Sequence, residues 1–427
     1  MRPRGYPGGG VILLERIEAD VLIPGHGDVV KNGCVVFDGP TIAYAGTIEG
    51  APKASGAKTR SVAAVMPGLW DCHGHFMGLR TADVEEGART PLAVMAARTT
   101  ADAARCLQAG FTSVREVGGL GIFLARAVNE GSVPGPHIYA AGGMISPTGG
   151  HGDLHSYPLD FTHEVLERTQ MSALADGVPE CLKAVRSMLR LNARVIKICA
   201  SGGVASEVDH PMHQEFSEEE LRAIVEEAGR AERIVAAHCH GKPGIMAALR
   251  AGCRTIEHGT YLDEEAADLF LEKKAILVPT RFIIDRLAKS AQAMGAPDYI
   301  LRKIVPVVGR HEEALRLAVR KGLRIAAGTD IITTGVTGYA DWGQSAFELT
   351  NLRDAGMKPL QAIEAATATA PLTLGPQAPK SGQLREGYDA DVLALAKNPV
   401  QDLDALTEPA NVRTIWKGGK LVKDLGA

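Results

Sequence analysis

No apolar stretch in this chain approaches the roughly 18 residues that a membrane span requires, which excludes a transmembrane helix. Paired cysteines are missing as well. The seven present (Cys34, Cys72, Cys106, Cys181, Cys199, Cys239 and Cys253) are odd in number, scattered and without a CxxC pair, a pattern that suits a reducing cytoplasm. Charge of one sign does not accumulate. With a formal net charge of -4 and both signs spread along the chain, there is no field that would gather nucleic acid or coat an anionic membrane. The GxxxxGK[ST] pattern and a glycine-rich turn opening a dinucleotide unit are both lacking, so nucleotide chemistry is set aside. The opening MRPRGYPGGG reads as a floppy leader, because the run Val11 to Leu14 after it is broken at once by Glu15 and Arg16 and is too short for a secretory signal.

What is present is a large core. In 427 residues, 45% are hydrophobic and 22% charged, enough for one large domain plus a small one. From Ile17 to about Met66, short β-rich runs (Ala19 to Ile23, Cys34 to Asp38, Thr41 to Gly46) alternate with Gly, Pro and Asn punctuation and read as small antiparallel strands. Runs of the same texture return at Ala390 to Ala396 and Val412 to Val422, which suggests one small β domain assembled from both ends. Between them, apolar β-rich runs such as Arg194 to Cys199, Ile234 to Ala237, Thr255 to Glu257, Ala275 to Pro279 and Arg324 to Ala327 alternate with helical stretches. Strands apolar throughout and separated by helices imply a parallel sheet buried on both faces, and over about three hundred residues a closed (β/α)8 TIM barrel is the economical solution. Ser217 followed by Glu220 opens one helix with a capping box, and Gly252 stops another.

The polar residues inside these runs carry the chemistry. His73 and His75 in Asp71-Cys72-His73-Gly74-His75 lie two apart, so a strand aims both imidazoles to one side while Cys72 faces the helix layer. A bare His-x-His is common in soluble chains, but His238, His258 and Asp330 each end a further apolar run, at the mouth where a barrel of this kind places its chemistry. Lys197 stands inside Val195-Ile196-Lys197-Ile198-Cys199. Either it snorkels to the rim or, being buried, it favours the neutral amine, which near a cationic metal pair takes up carbon dioxide to become a bridging carbamate. His240 lies on the same strand side as His238, one step further out, for a substrate oxygen or for simple packing. His151, after two glycines that let the backbone approach a ligand, is either a substrate contact or a solvent-exposed loop residue. Arg115, Tyr157 and Arg281 are candidates for a substrate carboxylate, with ordinary salt bridges as the plainer reading. Cys72 and Cys239, alternating with the histidines, read as small buried hydrophobes rather than nucleophiles.

The order His73-x-His75, Lys197, His238, His258, Asp330 resembles the binuclear amidohydrolase superfamily, from residue 11 onward. The tail reinforces it, with Ala362 to Thr367, Ala370-Pro371, Gly382 to Leu384 and Gly387 to Asp391 resembling the segment that re-enters a small β-sandwich. Cys199 to Val204, His238-Cys239-His240 and Gly149 to Asp153 are similar to the branch of imidazolonepropionase-like proteins, Xaa-Pro or Xaa-Arg dipeptidases and ochratoxin-type amidases. The resemblance implies a barrel over 67–377 and a β-sandwich domain from 11–66 with 378–427. It implies two divalent metal ions, zinc by ligand type: His73, His75 and Asp330 on one, His238 and His258 on the other, N6-carboxylated Lys197 between them. Asp330 would act as general base and acid, with His240 and His151 beside the substrate. The expected reaction is hydrolysis of the amide between an acyl group and an amino acid, in a dipeptide, an N-acyl amino acid or an ochratoxin-type amide. The alternatives are opening of a cyclic amide or lactone and, more remotely, a non-catalytic scaffold, which the six filled ligand positions argue against. A small-molecule substrate, a homo-oligomer, no nucleic acid and no membrane complete the expectation.

Overall fold

The computed structural model describes residues 14–53, 58–293, 295–335 and 339–426. The leader expected at MRPRGYPGGG lies outside them. Strands from both chain ends join one seven-stranded sheet in the order Lys420–Asp424, Val412–Lys417, Val392–Leu395, Lys58–Pro67, Glu15–Leu22, Val30–Asp38, Thr41–Thr47. Two expectations change here. Glu15–Leu22 pairs in parallel with Lys58–Pro67, so the sheet is not purely antiparallel. The run Val412 to Val422 is a hairpin of two strands, because Gly418 and Gly419 take positive φ (53° and 72°) and turn the chain back. The wings of this sheet face each other. Phe37 and Trp416 lie on strands four steps apart, roughly 19 Å if the sheet were flat, yet their rings meet edge-on at 5.7 Å over a core holding Ile17, Val35, Val65 and Val392.

The middle of the chain is a mixed α/β fold with parallel sheets. One runs Arg324–Ile325, Ile276–Val278, Thr255–His258, Val235–Cys239, Ile196–Cys199, Met144–Ser146, Ser172–Leu174; the other runs Ile331–Thr333, Leu69–Leu79, Phe111–Glu116, His137–Ala140. Every pairing within these two sheets is parallel. Backbone bonds also tie one sheet to the other, from the Cys72 amide to the Ala327 carbonyl (2.9 Å) and from the Arg194 amide to the Ala140 carbonyl (2.8 Å). Strand Leu69–Leu79 is buried at every residue, as its lack of a polar face requires.

Helices lie where the punctuation placed them. Ser217 caps Glu218–Arg230 with the reciprocal Glu220 box, and Gly252 ends Lys242–Ala251 in a left-handed conformation at φ 101°. Among the described residues no helix is long and apolar enough to cross a membrane.

Candidate active site

The strand ends converge. His73 and His75 project from Leu69–Leu79 with ring centroids 5.2 Å apart, and His73 lies 5.1 Å from His258. His238 and His258 meet through Nδ1 and Nε2 at 2.8 Å, and Lys197 Nζ sits 3.4 Å from His73 Nε2. Asp330 Oδ1 stands 3.4 Å from His73 Nε2 and 3.1 Å from His75 Nε2. All six residues expected as ligands are thus neighbours. Lys197 is 1% exposed, and burial pushes its ammonium below the usual lysine range, so it does not snorkel to the rim.

Each ring is held from behind. His73 Nδ1 donates to Glu257 Oε2 (2.7 Å) and His75 Nδ1 to the Gly118 carbonyl (2.8 Å), and neither partner can give a proton back. Their Nε2 atoms therefore carry lone pairs toward the centre. His258 Nδ1 meets the Thr280 hydroxyl and His240 Nδ1 the Thr260 hydroxyl, both at 2.7 Å. Burial lowers the pKa of His75, pushes His238 and His258 well down, and takes His240 to about 3, so these rings are neutral. Burial alone raises the Asp330 carboxyl, and positive charge on the side of His73 and His75 lowers it by more, so the group is ionised when a proton or a cation lies between it and those rings. Lone pairs on Nε2 atoms facing an anionic oxygen at these distances repel one another unless a cation lies between them, and the donor set therefore fits a divalent metal.

Backbone geometry aims these groups. His258, Thr280 and Asp330, at the ends of three successive parallel segments, have φ of 68°, 54° and 61°, left-handed values that cost a non-glycine residue about 1–3 kcal/mol each. Asp71 fixes one of them. Its carboxylate accepts the Thr329 amide (3.0 Å), the Thr329 hydroxyl (2.6 Å) and the His73 amide (3.2 Å), clamping the segment before Asp330 to the His-x-His strand. Gly74 has no side chain because the Trp342 ring occupies that space, where a Cβ would stand 2.5 Å from it.

Other readings resolve individually. Arg115, fully buried, pairs with Glu257 (2.6 Å); Arg281 pairs with Asp285 (2.7 Å); and the Tyr157 hydroxyl accepts from Arg89 (3.1 Å). The plainer salt-bridge reading holds for both arginines. Burial raises the Glu257 carboxyl, but Arg115 and His73 overcome it and hold it well below the usual carboxylate range. His240 joins His238 and His258, with ligand atoms within 4.8 Å of one another. The His151 ring stacks on His238 at 4.1 Å, with Nδ1 2.8 Å from the Ser206 hydroxyl, so it is not a solvent-exposed loop residue. Cys72 departs from expectation. It packs with Val195, Ala236 and Ala326 beneath the site rather than against the helices, because register with the neighbouring strand shifts between Asp71 and Gly74 and breaks the alternation. It is no nucleophile, since burial pushes its thiol up to about 12.

Glu257, Asp71 and Thr280 were given no role from sequence. Glu257 carried a signal, a carboxylate inside the apolar run Thr255–His258 that has to find a buried partner. Above the cluster opens a cavity walled by Met77, Met144, Leu154, Leu166, Met171 and Ile332. Among the described residues lining it, Lys197 is the single lysine and there is no arginine.

A buried histidine and carboxylate cluster whose donor atoms fit a divalent cation, at the C-terminal ends of parallel strands beneath an apolar cavity, is the arrangement of an α/β enzyme site. The model of the amidohydrolase family matches residues 64–422. The chain is 42% identical to ochratoxinase of Aspergillus niger over 429 aligned residues, covering 96% of this chain and 87% of that one. The crystal structure of A. niger ochratoxinase superposes with a TM-score of 0.88 at 41% identity, over 97% of this chain and 96% of that one. The crystal structure of a prolidase complexed with N-methylphosphonate-L-proline superposes with a TM-score of 0.88 at 31% identity, over 96% of this chain and 100% of that one. The chain belongs to the amidohydrolase family, and it is a hydrolase acting on amide bonds.

Proposed function

We propose that this chain hydrolyses the amide joining an acyl group to an amino acid, in a dipeptide, an N-acyl amino acid or an ochratoxin-type amide, with two zinc ions as cofactor. The catalytic unit is a closed (β/α)8 barrel over 67–377, a reading supported by the bonds at Cys72 and Arg194 that join the two parallel sheets. Residues 11–66 and 378–427 form the small domain. His73, His75 and Asp330 would hold one ion, His238 and His258 the other, and Lys197 as its N6-carbamate would bridge them. Bound ions supply Lewis acidity, which activates water at neutral pH and polarises a carbonyl.

The residues of the chain do the rest. Asp330, ionised and 21% exposed at its side chain, accepts a proton from water at its carboxylate and passes it to the leaving amide nitrogen. His151 and His240 have Nδ1 engaged by the Ser206 and Thr260 hydroxyls, which leaves Nε2 of each for other partners. With no arginine among the described residues lining the cavity and His151 among them, the His151 ring is the group that meets the amino-acid carboxylate or the carbonyl, and His240 stands behind it against His238 and His258. The wall of Met77, Leu154, Leu166 and Met171 excludes water and takes an apolar or aromatic group. Seven unpaired, buried cysteines support a reducing cytoplasm, and a homo-oligomer remains the family expectation.

The observation that carries this reading is the opposition of two imidazole lone pairs to the Asp330 carboxylate at the floor of an apolar cavity. A panel of N-acyl amino acids, dipeptides and an ochratoxin-type amide, with free amino acid as readout, tests it. Release from acyclic substrates with large apolar groups is expected; turnover confined to cyclic amides or lactones would overturn it.

A further inference from the structure

The segment from Gly202 to His210 contains no helix or strand, yet it forms one side of the site. Its backbone carbonyls have no ladder to join, and buried carbonyls need partners. Three of them find the same one. Lys303, from helix Asp298–Lys321, places Nζ 3.3 Å from the Gly203 carbonyl, 2.6 Å from that of Ser206 and 2.5 Å from that of Asp209, with Asp209 Oδ1 at 3.2 Å. The other oxygen of that carboxylate accepts the Gly203 amide at 2.6 Å. The side chains of Lys303 and Asp209 are only 13% and 4% exposed, so the segment is wrapped around an ammonium supplied from about a hundred residues away.

What the wrapped segment holds is His151. Ser206 binds Nδ1 of the ring, and Gly203 lies flat against its face, where a Cβ would stand 2.2 Å from ring atoms. His238 stacks on the ring at 4.1 Å, and Glu215 accepts the His151 amide at 2.7 Å. The ring is thereby fixed in a slot, and two of the residues that form the slot, Gly203 and Ser206, are also the ones whose carbonyls Lys303 gathers.

We infer that Lys303 is a positioning residue for amide hydrolysis: its ammonium organises residues 203–209, which hold the His151 ring against the substrate cavity. This rests on the substrate-facing reading of His151 given above. Lys303 touches neither substrate nor the metal ligands, and a planar or neutral side chain cannot satisfy three carbonyls and a carboxylate converging on one point.

A double-mutant cycle on the zinc-loaded enzyme tests this, with N-benzoyl-L-phenylalanine as substrate. Lys303→Met is expected to lower kcat/KM by about tenfold or more, since an ångström of misplacement in an active site can cost roughly 100-fold. The double variant with His151→Ala should be no slower than His151→Ala alone, and metal content should stay at the wild-type level. In 15N-histidine-labelled protein, the ring signal assigned to His151 should shift in Lys303→Met while those of His73 and His258 stay in place. Wild-type kcat/KM in Lys303→Met, or losses that multiply in the double variant, would overturn the inference. Full activity in His151→Ala alone would instead sink the substrate-facing reading of that ring. If Lys303→Met does not fold, Asp209→Asn, which keeps the side-chain shape, enters the same cycle with the same two readings.

Discussion

The floor of the site and its mouth are built on different principles. On the floor, His75, Lys197 and His238 ride on strands whose twofold alternation fixes where each side chain points, His73 sits at the register shift before Gly74, and partners such as Glu257 and Gly118 pin the rings from behind. The mouth comes from loops and helix ends: Leu154 follows the His151 loop, Ile332 follows Asp330, and Ser206 sits in a segment shaped by a lysine from another helix. Regular backbone decides what chemistry is possible, and irregular backbone decides which molecule reaches it.

Mutations on the two sides should therefore fail differently. Lys197→Ala is expected to lose both of the proposed ions and turnover together, because the proposed bridging carbamate goes with the side chain; two retained ions with full turnover would break the distinction at its strongest point. Asp330→Asn should cost about 10²- to 10⁴-fold in kcat, the range of a general acid–base group, and less in metal content. Equal losses in both would make that carboxylate a purely structural ligand. Glu257→Gln, which weakens the hold on His73 Nδ1, should reduce metal affinity by about 10- to 100-fold in chelator competition while leaving kcat of the loaded enzyme less affected. The mouth gives the smallest effect. Leu154→Ala should lower kcat/KM for substrates with a large apolar group by about tenfold relative to small ones, with metal content unchanged. A loss of metal in that variant would erase the line between floor and mouth.

The same division governs what the sequence reveals. The six residues that cluster at the strand ends were legible because each interrupts or ends an apolar run, where a polar residue has no bland packing role, and because His73 and His75 share the strand period. Helix boundaries at Ser217 and Gly252 were legible through their own capping chemistry. Alternation misdirected Cys72, since a register shift between Asp71 and Gly74 is a property of two strands together and leaves no mark in one. The parallel pairing of Glu15–Leu22 with Lys58–Pro67 was hidden for a related reason: short polar-flanked strands look alike whichever direction their neighbour runs. Lys303 had no signal at all. It is one charged residue on an amphipathic helix, and only the folded chain shows that its ammonium is enclosed by carbonyls about a hundred residues earlier.

The central claim is that six side chains hold a pair of cations on which amide hydrolysis depends. Elemental analysis of chelator-treated and zinc-restored protein, with amino-acid release followed in the same samples, tests it most directly. The account predicts no turnover without metal and full recovery at two equivalents per chain; undiminished hydrolysis by the metal-free protein would contradict it.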